Sequence, residues 1–363
     1  MRTVLEISSQ ERLGQLRRRL VSSKALPLIL ALAGASLFGI RSGSYHLGLA
    51  NLVCIAIMGA VSQGLLLGWA GQVSLGYAAF FAVGGMAAAL LSRHLEVEDL
   101  LVGVPAAFVA AAIAGAAVGT PAARMKGLYL AVSSLAFHFV LIYLIGQYQH
   151  SIGASEVVSV ASPSLGGVWT IRGTREWYFV LLAASVLAVV ACANLERSAI
   201  GRAWKTIHHR ETVAAAFGVR PYYFKLLAFA ISSGLAGAAG ALDAYYNGFV
   251  AQDRYSVVLT IQTLAMIILG GMGSLLGWVF GAVCITLLPF GIEHAMQAFA
   301  TQARLQSYVF QIQQAAFGLI LFAVLVLEPT GLAGLWGRAH SMASRALGRA
   351  RLRRVGTHEP AAE

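Results

Sequence analysis

Apolar segments of near membrane-spanning length follow one another along most of this chain, each closed by a polar turn. They lie at about Ala25–Ile40, Leu47–Leu67, Tyr77–Leu91, Leu100–Gly119, Leu128–Gly146, Trp177–Ala193, Leu226–Tyr246, Ser256–Gly270, Trp278–Pro289 and Tyr308–Leu327. A helix needs roughly 20 such residues to cross about 30 Å of hydrocarbon. Several segments are shorter, and those flanking Gly68–Gly76 and Gly270–Gly277 are expected to be broken or re-entrant. The expectation is an all-α polytopic membrane protein with about 8–10 transmembrane segments. Composition agrees: 11% of residues are charged and mean hydropathy is +0.73, against roughly 25% charged in soluble domains. The 39 glycines suit helices packed closely in lipid.

The net charge of +11 does not point to nucleic acid, because of where the charges fall. Arg12, Arg17, Arg18, Arg19 and Lys24 precede the first apolar segment, Arg124 and Lys126 share one short loop, and six basic residues lie between Arg197 and Lys225. Another group, Arg338 to Arg354, fills the tail. All four clusters fall on one side of the expected topology, which places that side and both termini in the cytoplasm. Three parts follow: a basic cytoplasmic lead, 1–24; a membrane domain, 25–330; and a basic cytoplasmic tail, 331–363. Within the membrane domain, 196–225 is a cytoplasmic loop and 147–176 an external one, polar and irregular. Phe290–Ser307 is also placed outside.

Leu67–Gly85 and Ile268–Val283 echo each other, each with a glycine-rich, serine-bearing turn between two apolar runs. Paired interruptions in two halves of a transporter point to a binding site between them, although tight packing turns would look the same. No Walker A motif, HExxH or paired acid motif is present. Cys54, Cys192 and Cys284 stand apart in apolar surroundings and read as packing residues. Adjacent His208 and His209 make a poor metal pair and read as solvated loop residues. Polar residues inside apolar segments are expected to face the bundle interior: Gln63, Gln72, Ser74, Tyr77, Ser133, Ser134, His138, Thr263 and Ser274. Ionisable groups are scarce there, with Asp243 near an outer end and His138 alone. That scarcity favours an external energy source or passive conduction over an ion-driven carrier.

The loop Glu196–Lys225 reads as an amphipathic helix over 200–218. Ile200, Trp204, Ile207, Glu211 and Ala214 share a face, Gly218 closes it and Pro221 stops it. Such a helix either docks on a cytoplasmic motor subunit or lies on lipid headgroups.

Five blocks in order resemble the branched-chain amino acid ABC transporter permeases of the LivM type. LLLGWAGQVSLGYAAFFAVGGMAAALL (65–91) is similar to that family's GYxGQxSLGHAAFFGIGAY block, and RMKGLYLAVSSLAF (124–137) to its RLRGLYFAxxTLAF block. Residues 200–242 match its central block, and LGGMGSLLGWVFGA (269–282) and EPTGLAGLWGR (328–338) complete the set. Glu211 to Gly218, ETVAAAFG, resembles the EAA-x-x-x-G coupling motif, with Thr212 in place of its first alanine.

The resemblance implies a permease subunit of an ATP-driven, binding-protein-dependent importer in the bacterial inner membrane, with branched-chain amino acids as cargo. Implied partners are a second, LivH-like permease, two ATP-binding subunits that carry the ATP, a periplasmic substrate-binding protein and membrane lipid. This chain itself would hold no cofactor or metal and catalyse nothing. Trp204, Ile207, Glu211, Ala215 and Gly218 would couple to the ATPase. Gly71, Gln72, Ser74, Gly76, Tyr77, Ser133, Thr263, Gly271 and Ser274 would line the substrate path, with free backbone amides at the breaks suiting a carboxylate. Three departures bear on cargo. Ser151–Val157 lacks two glycines of the family's LTGGSDG stretch, Tyr77 stands where histidine is common, and Asp243 where many members are aromatic or apolar. A urea, short-amide or other amino-acid ABC permease stays open as an alternative, and so does a passive channel for a small neutral solute.

Overall fold

The computed structural model describes residues 34–299, apart from 37, 96–97, 126, 154–156 and 168, together with 315, 318, 319 and 322. The basic lead, most of the first expected span, Lys126, most of the last expected span and the basic tail therefore lie outside the described residues.

Hydrophobic segments become helices close to where the sequence puts them. The first full helix, α1 (Ser44–Gly64), runs on through a π-turn, Leu65–Trp69. It is followed by α2 (Tyr77–His94), α3 (Leu100–Ala122), α4 (Leu128–Ser151) and α5 (Thr174–Arg197). Two short helices, α6 (Ala199–His209) and α7 (Glu211–Ala216), occupy the basic loop. The bundle then closes with α8 (Pro221–Asn247), α9 (Val257–Gly270) and α10 (Leu275–Phe299). Among the described residues, six helices are long and apolar enough to span a membrane: α1 with its π-turn, α3, α4, α5, α8 and α10. The other two, α2 with 18 residues and α9 with 14, stand beside the glycine-rich breaks.

Alternation of direction gives the bundle two ends. One carries Arg124, α6, α7 and the turn into α8; the other carries the ends of α2, α4 and α8 and the starts of α3, α5 and α9. These are the basic end and the outer end below.

The centre is α8, whose GLAGAAGAL run lets two neighbours, α2 and α3, come close to its backbone. A Cβ at Gly84 of α2 would fall on the Gly237 backbone, and one at Gly240 on the Phe81 carbonyl, so glycine here permits contact no side chain would allow. On the other face Gly115 of α3 meets Ser233, and Gly119 meets Phe229. α1 is held differently. Ser62 Oγ donates to the Ser232 carbonyl and Ser232 Oγ to the Ser62 carbonyl, each at 2.9 Å, a reciprocal buried pair between α1 and α8.

Three expectations are corrected. The external loop is not irregular, since β1 (Val157–Ser159) pairs antiparallel with β4 (Phe249–Ala251), and β2 (Ser164–Leu165) with β3 (Trp169–Thr170). Pairing to a strand about ninety residues away in sequence leaves no local pattern, and it buries Val158 and Val250. The segment expected to end at Pro289 continues as helix to Phe299. A membrane helix tolerates proline where neighbours re-satisfy the backbone. The expected single helix over 200–218 breaks at Arg210, whose φ of −153° and ψ of 105° are extended.

Candidate functional site

The basic end brings together the two glycine-rich turns and the basic loop. Trp69, closing α1, lies with its ring 5.0 Å from that of Trp278 at the start of α10. A Cβ at Gly68 would fall on the Met272 carbonyl of the second turn. The echoing segments are thus packed against one another. The first turn has a positive φ at Gly71 (67°) and the second at Gly271 (101°), where an L side chain is strained.

Onto the first of these turns sits α6. Ser198 caps it, accepting from the Gly201 N–H at 3.3 Å. The Lys205 ammonium lies 5.8 Å from the Trp69 ring centre, and the His208 ring packs where a Cβ on Gly71 would stand. His208 is therefore not a freely solvated loop residue, although its ring stacks on His209 at the surface. Trp204 is fully buried, and its Nε1 donates to the Phe224 carbonyl at 2.7 Å, tying α6 to α8. Glu211 makes a 2.9 Å ion pair with the nearly buried Lys225 and ties α7 to the same helix.

Of the residues expected to couple, Trp204 and Ile207 are buried inside this chain, Glu211 is partly exposed, and Ala215 and Gly218 are exposed. Gly218 takes a φ of +79° just after α7 and turns the chain toward Pro221. What faces outward is Val213 and Phe217, the latter 80% exposed. The helical spacing of the loop does not mark them, because the break at Arg210 rotates α7 relative to α6.

The break between α1 and α2 is closed by side chains from three helices. Gln63 Nε2 donates to the Ser74 carbonyl at 2.8 Å, the Leu75 N–H to Ser134 Oγ of α4 at 2.8 Å, and the Ala78 N–H to Thr260 Oγ1 of α9 at 3.0 Å. Ser74 Oγ accepts from the Gly76 N–H at 3.2 Å. The Gln72, Leu75, Gly76 and Ala78 amides of this break thus each have a partner within the chain. Gln72 is buried, and neither of its amide atoms finds a partner among the described residues. Ser274 Oγ accepts from the Gly277 N–H at 3.2 Å, capping α10.

Deeper in the bundle, a cavity of about 260 Å³ opens between α1, α2, α8, α9 and α10. Tyr77 and Thr263 line it, whereas Gly71, Gln72, Ser74, Gly76, Ser133, Gly271 and Ser274 do not. Ser133 is half-buried on α4. Asp243 of α8 and Arg254 of the turn after β4 also line it, paired at 3.4 Å. Sequence reading flags Asp243 but not Arg254 or Thr260. Thr260 is found by the same rule as Thr263, a hydroxyl in an apolar helix one turn earlier. Among the described residues no group of histidine, cysteine and carboxylate side chains could hold a metal ion.

Comparison with known proteins adds to this geometry. Residues 45–328 match the family described as "Branched-chain amino acid transport system / permease component". The chain is 30% identical over 285 residues to the high-affinity branched-chain amino acid transport system permease protein LivM of Salmonella typhimurium LT2, covering 72% of this chain and 66% of that one. The values are the same for LivM of Escherichia coli K12. The chain thus spans just under two thirds of the length of these two relatives. It is 24% identical over 293 residues to the corresponding LivH protein of Salmonella typhimurium, covering 76% of this chain and 90% of LivH.

Proposed function

The chain belongs to the family of branched-chain amino acid transport system permease components, and from that premise we propose that it is the permease subunit of an ATP-driven, binding-protein-dependent importer of branched-chain amino acids. Two ATP-binding subunits drive it from the cytoplasm, and the ATP is bound and hydrolysed there. A periplasmic binding protein delivers cargo to the outer end, and a second, LivH-like permease completes the pathway in the inner membrane. Similarity of one chain to both LivM and LivH relatives supports pairing of two subunits of common build.

The observation that carries this reading is the seating of α6 on the first glycine-rich turn, which is itself packed against the second. A force applied to α7 passes through Glu211–Lys225 and Trp204–Phe224 into α8. Through Lys205 and His208 it passes into Trp69 and Gly71. Those residues abut Trp278 and Met272 of the second turn. One rocking motion of the basic loop therefore moves both turns together, as a cytoplasmic gate worked from outside the bilayer requires. A helix resting on lipid headgroups would present its basic and apolar faces to the membrane. Here the apolar face of α6 is buried within the chain, and exposed Phe217 and Val213 offer an apolar patch to a protein groove.

The test is uptake of radiolabelled leucine and of urea in source cells with and without this chain. Loss of leucine uptake alone is expected. Loss of urea uptake alone would overturn the cargo, and no change in either would overturn the importer reading.

A further inference from the structure

The cavity between α1, α2, α8, α9 and α10 combines two things rarely placed together in a bilayer. One wall is aliphatic, with Leu52, Ile55, Leu259 and Ile285. The other carries a guanidinium and a carboxyl group, Arg254 and Asp243. Charges at membrane depth are costly and face functional cavities. Asp243 is only 5% exposed, and Asn247 Nδ2 donates to its Oδ1 at 2.9 Å. The contact between the two charges is loose. A single Nη2–Oδ1 approach at 3.4 Å joins them, where a closed charge-assisted bond measures about 2.7–2.9 Å. The guanidinium also leans over the Phe249 ring, 5.4 Å from its centre. Thr286 lines the same space, and its hydroxyl has no partner among the described residues.

We propose that this cavity is a binding site for a zwitterionic α-amino acid with an aliphatic side chain. Its ammonium is held by Asp243, its carboxylate by Arg254, and its side chain lies against the aliphatic wall. A ligand bearing both charges can replace one loose contact with two close ones. At about 260 Å³, the cavity falls just under the roughly 300–1,000 Å³ of pockets for drug-sized ligands, which suits a single amino acid. The choice of ligand rests on the transport reading above. The competing role is a strut, in which the ion pair only pins the 252–255 turn to α8.

The test is thermal unfolding of the full-length chain in nanodiscs with leucine, leucinamide or 4-methylpentanoate. The last two each lack one of leucine's charges. Leucine at about a hundredfold above its Kd is expected to raise Tm by roughly 5 °C, and the two analogues by far less. No shift with leucine, or equal shifts with all three, would overturn the site.

The neutral pair Asp243→Asn/Arg254→Gln leaves no unpaired buried charge. It is expected to keep the unliganded Tm, lose the leucine shift and reduce leucine uptake at least tenfold. Wild-type uptake by that variant would assign the pair to a strut and overturn the proposal. The two readings can fail separately. If deletion of the chain leaves leucine uptake intact, the importer reading falls, while the nanodisc shift still decides the site.

Discussion

Lys225 shows how much of the basic loop rests on single side chains. Its side chain is 9% exposed and its ammonium is paired with Glu211, itself 29% exposed, at 2.9 Å. Removing the carboxylate leaves a cation in a nearly dry place. Glu211→Gln is therefore expected to cost about 1–3 kcal/mol, less than the roughly 3–5 of a fully buried pair because Glu211 is partly solvated. Glu211→Gln/Lys225→Met is expected to recover most of it, as denaturant titration of the purified chain would show. Gly71 is a second such position. With φ at 67° and the His208 ring against it, Gly71→Ala is expected to cost at least about 1 kcal/mol in backbone strain. It should also loosen α6, which proteolysis of the basic loop reads directly. At this scale the sequence is legible where chemistry is local. Gly218 as a helix stop and Thr263 as an inward hydroxyl are visible from type and spacing. Arg254 is not, because what makes it matter is Asp243 across a turn, and no spacing rule pairs them.

Elements were easier to read than their joints. Apolar length places α1 to α5 and α8 to α10 because in lipid a continuous helix satisfies every backbone group it contains. Joints are set by tertiary contacts that the local sequence does not encode. The β1–β4 pair joins strands far apart in the chain, and neither the extended Arg210 nor the continuation past Pro289 is marked by residue spacing. The echo between Leu67–Gly85 and Ile268–Val283 is partly legible. Its glycines do mark a paired feature, and the structure packs the two turns together beside α6 at the basic end. Packing between elements is correspondingly testable. Ser62→Ala/Ser232→Ala removes both hydroxyl bonds between α1 and α8. At about 0.6 kcal/mol per interhelical bond in membranes, the expected loss is about 1 kcal/mol. Gly237→Leu inserts a side chain where α2 and α3 touch α8 and is expected to abolish folding, seen as loss of monodisperse protein on size exclusion.

At the scale of the whole molecule, orientation and coupling join the parts into one account. The basic end is assigned to the cytoplasm by charge. Cysteines at Phe217 and Trp169 are accordingly expected to label from opposite sides of sealed vesicles, 217 from the cytoplasmic face only. Between those faces the molecule divides its work. The outer end has a paired hairpin and the open cavity with Asp243 and Arg254, while the basic end has two interlocked turns with α6 seated on the first. In the importer proposed above, cargo enters at the outer cavity and the way out is closed by the turns that the basic loop holds. The central claim is that energy reaches the bundle through α7. ATP-dependent leucine uptake into inverted-geometry-matched vesicles, carrying either the wild-type system or the Phe217→Glu variant, tests it directly. Phe217 is 80% exposed, so the substitution is expected to leave the fold and membrane abundance unchanged, which immunoblotting of the membranes checks. The account expects uptake to fall at least tenfold and the ATP-binding subunits to stop co-purifying. Wild-type uptake by Phe217→Glu, or leucine flux that continues without ATP, would contradict it.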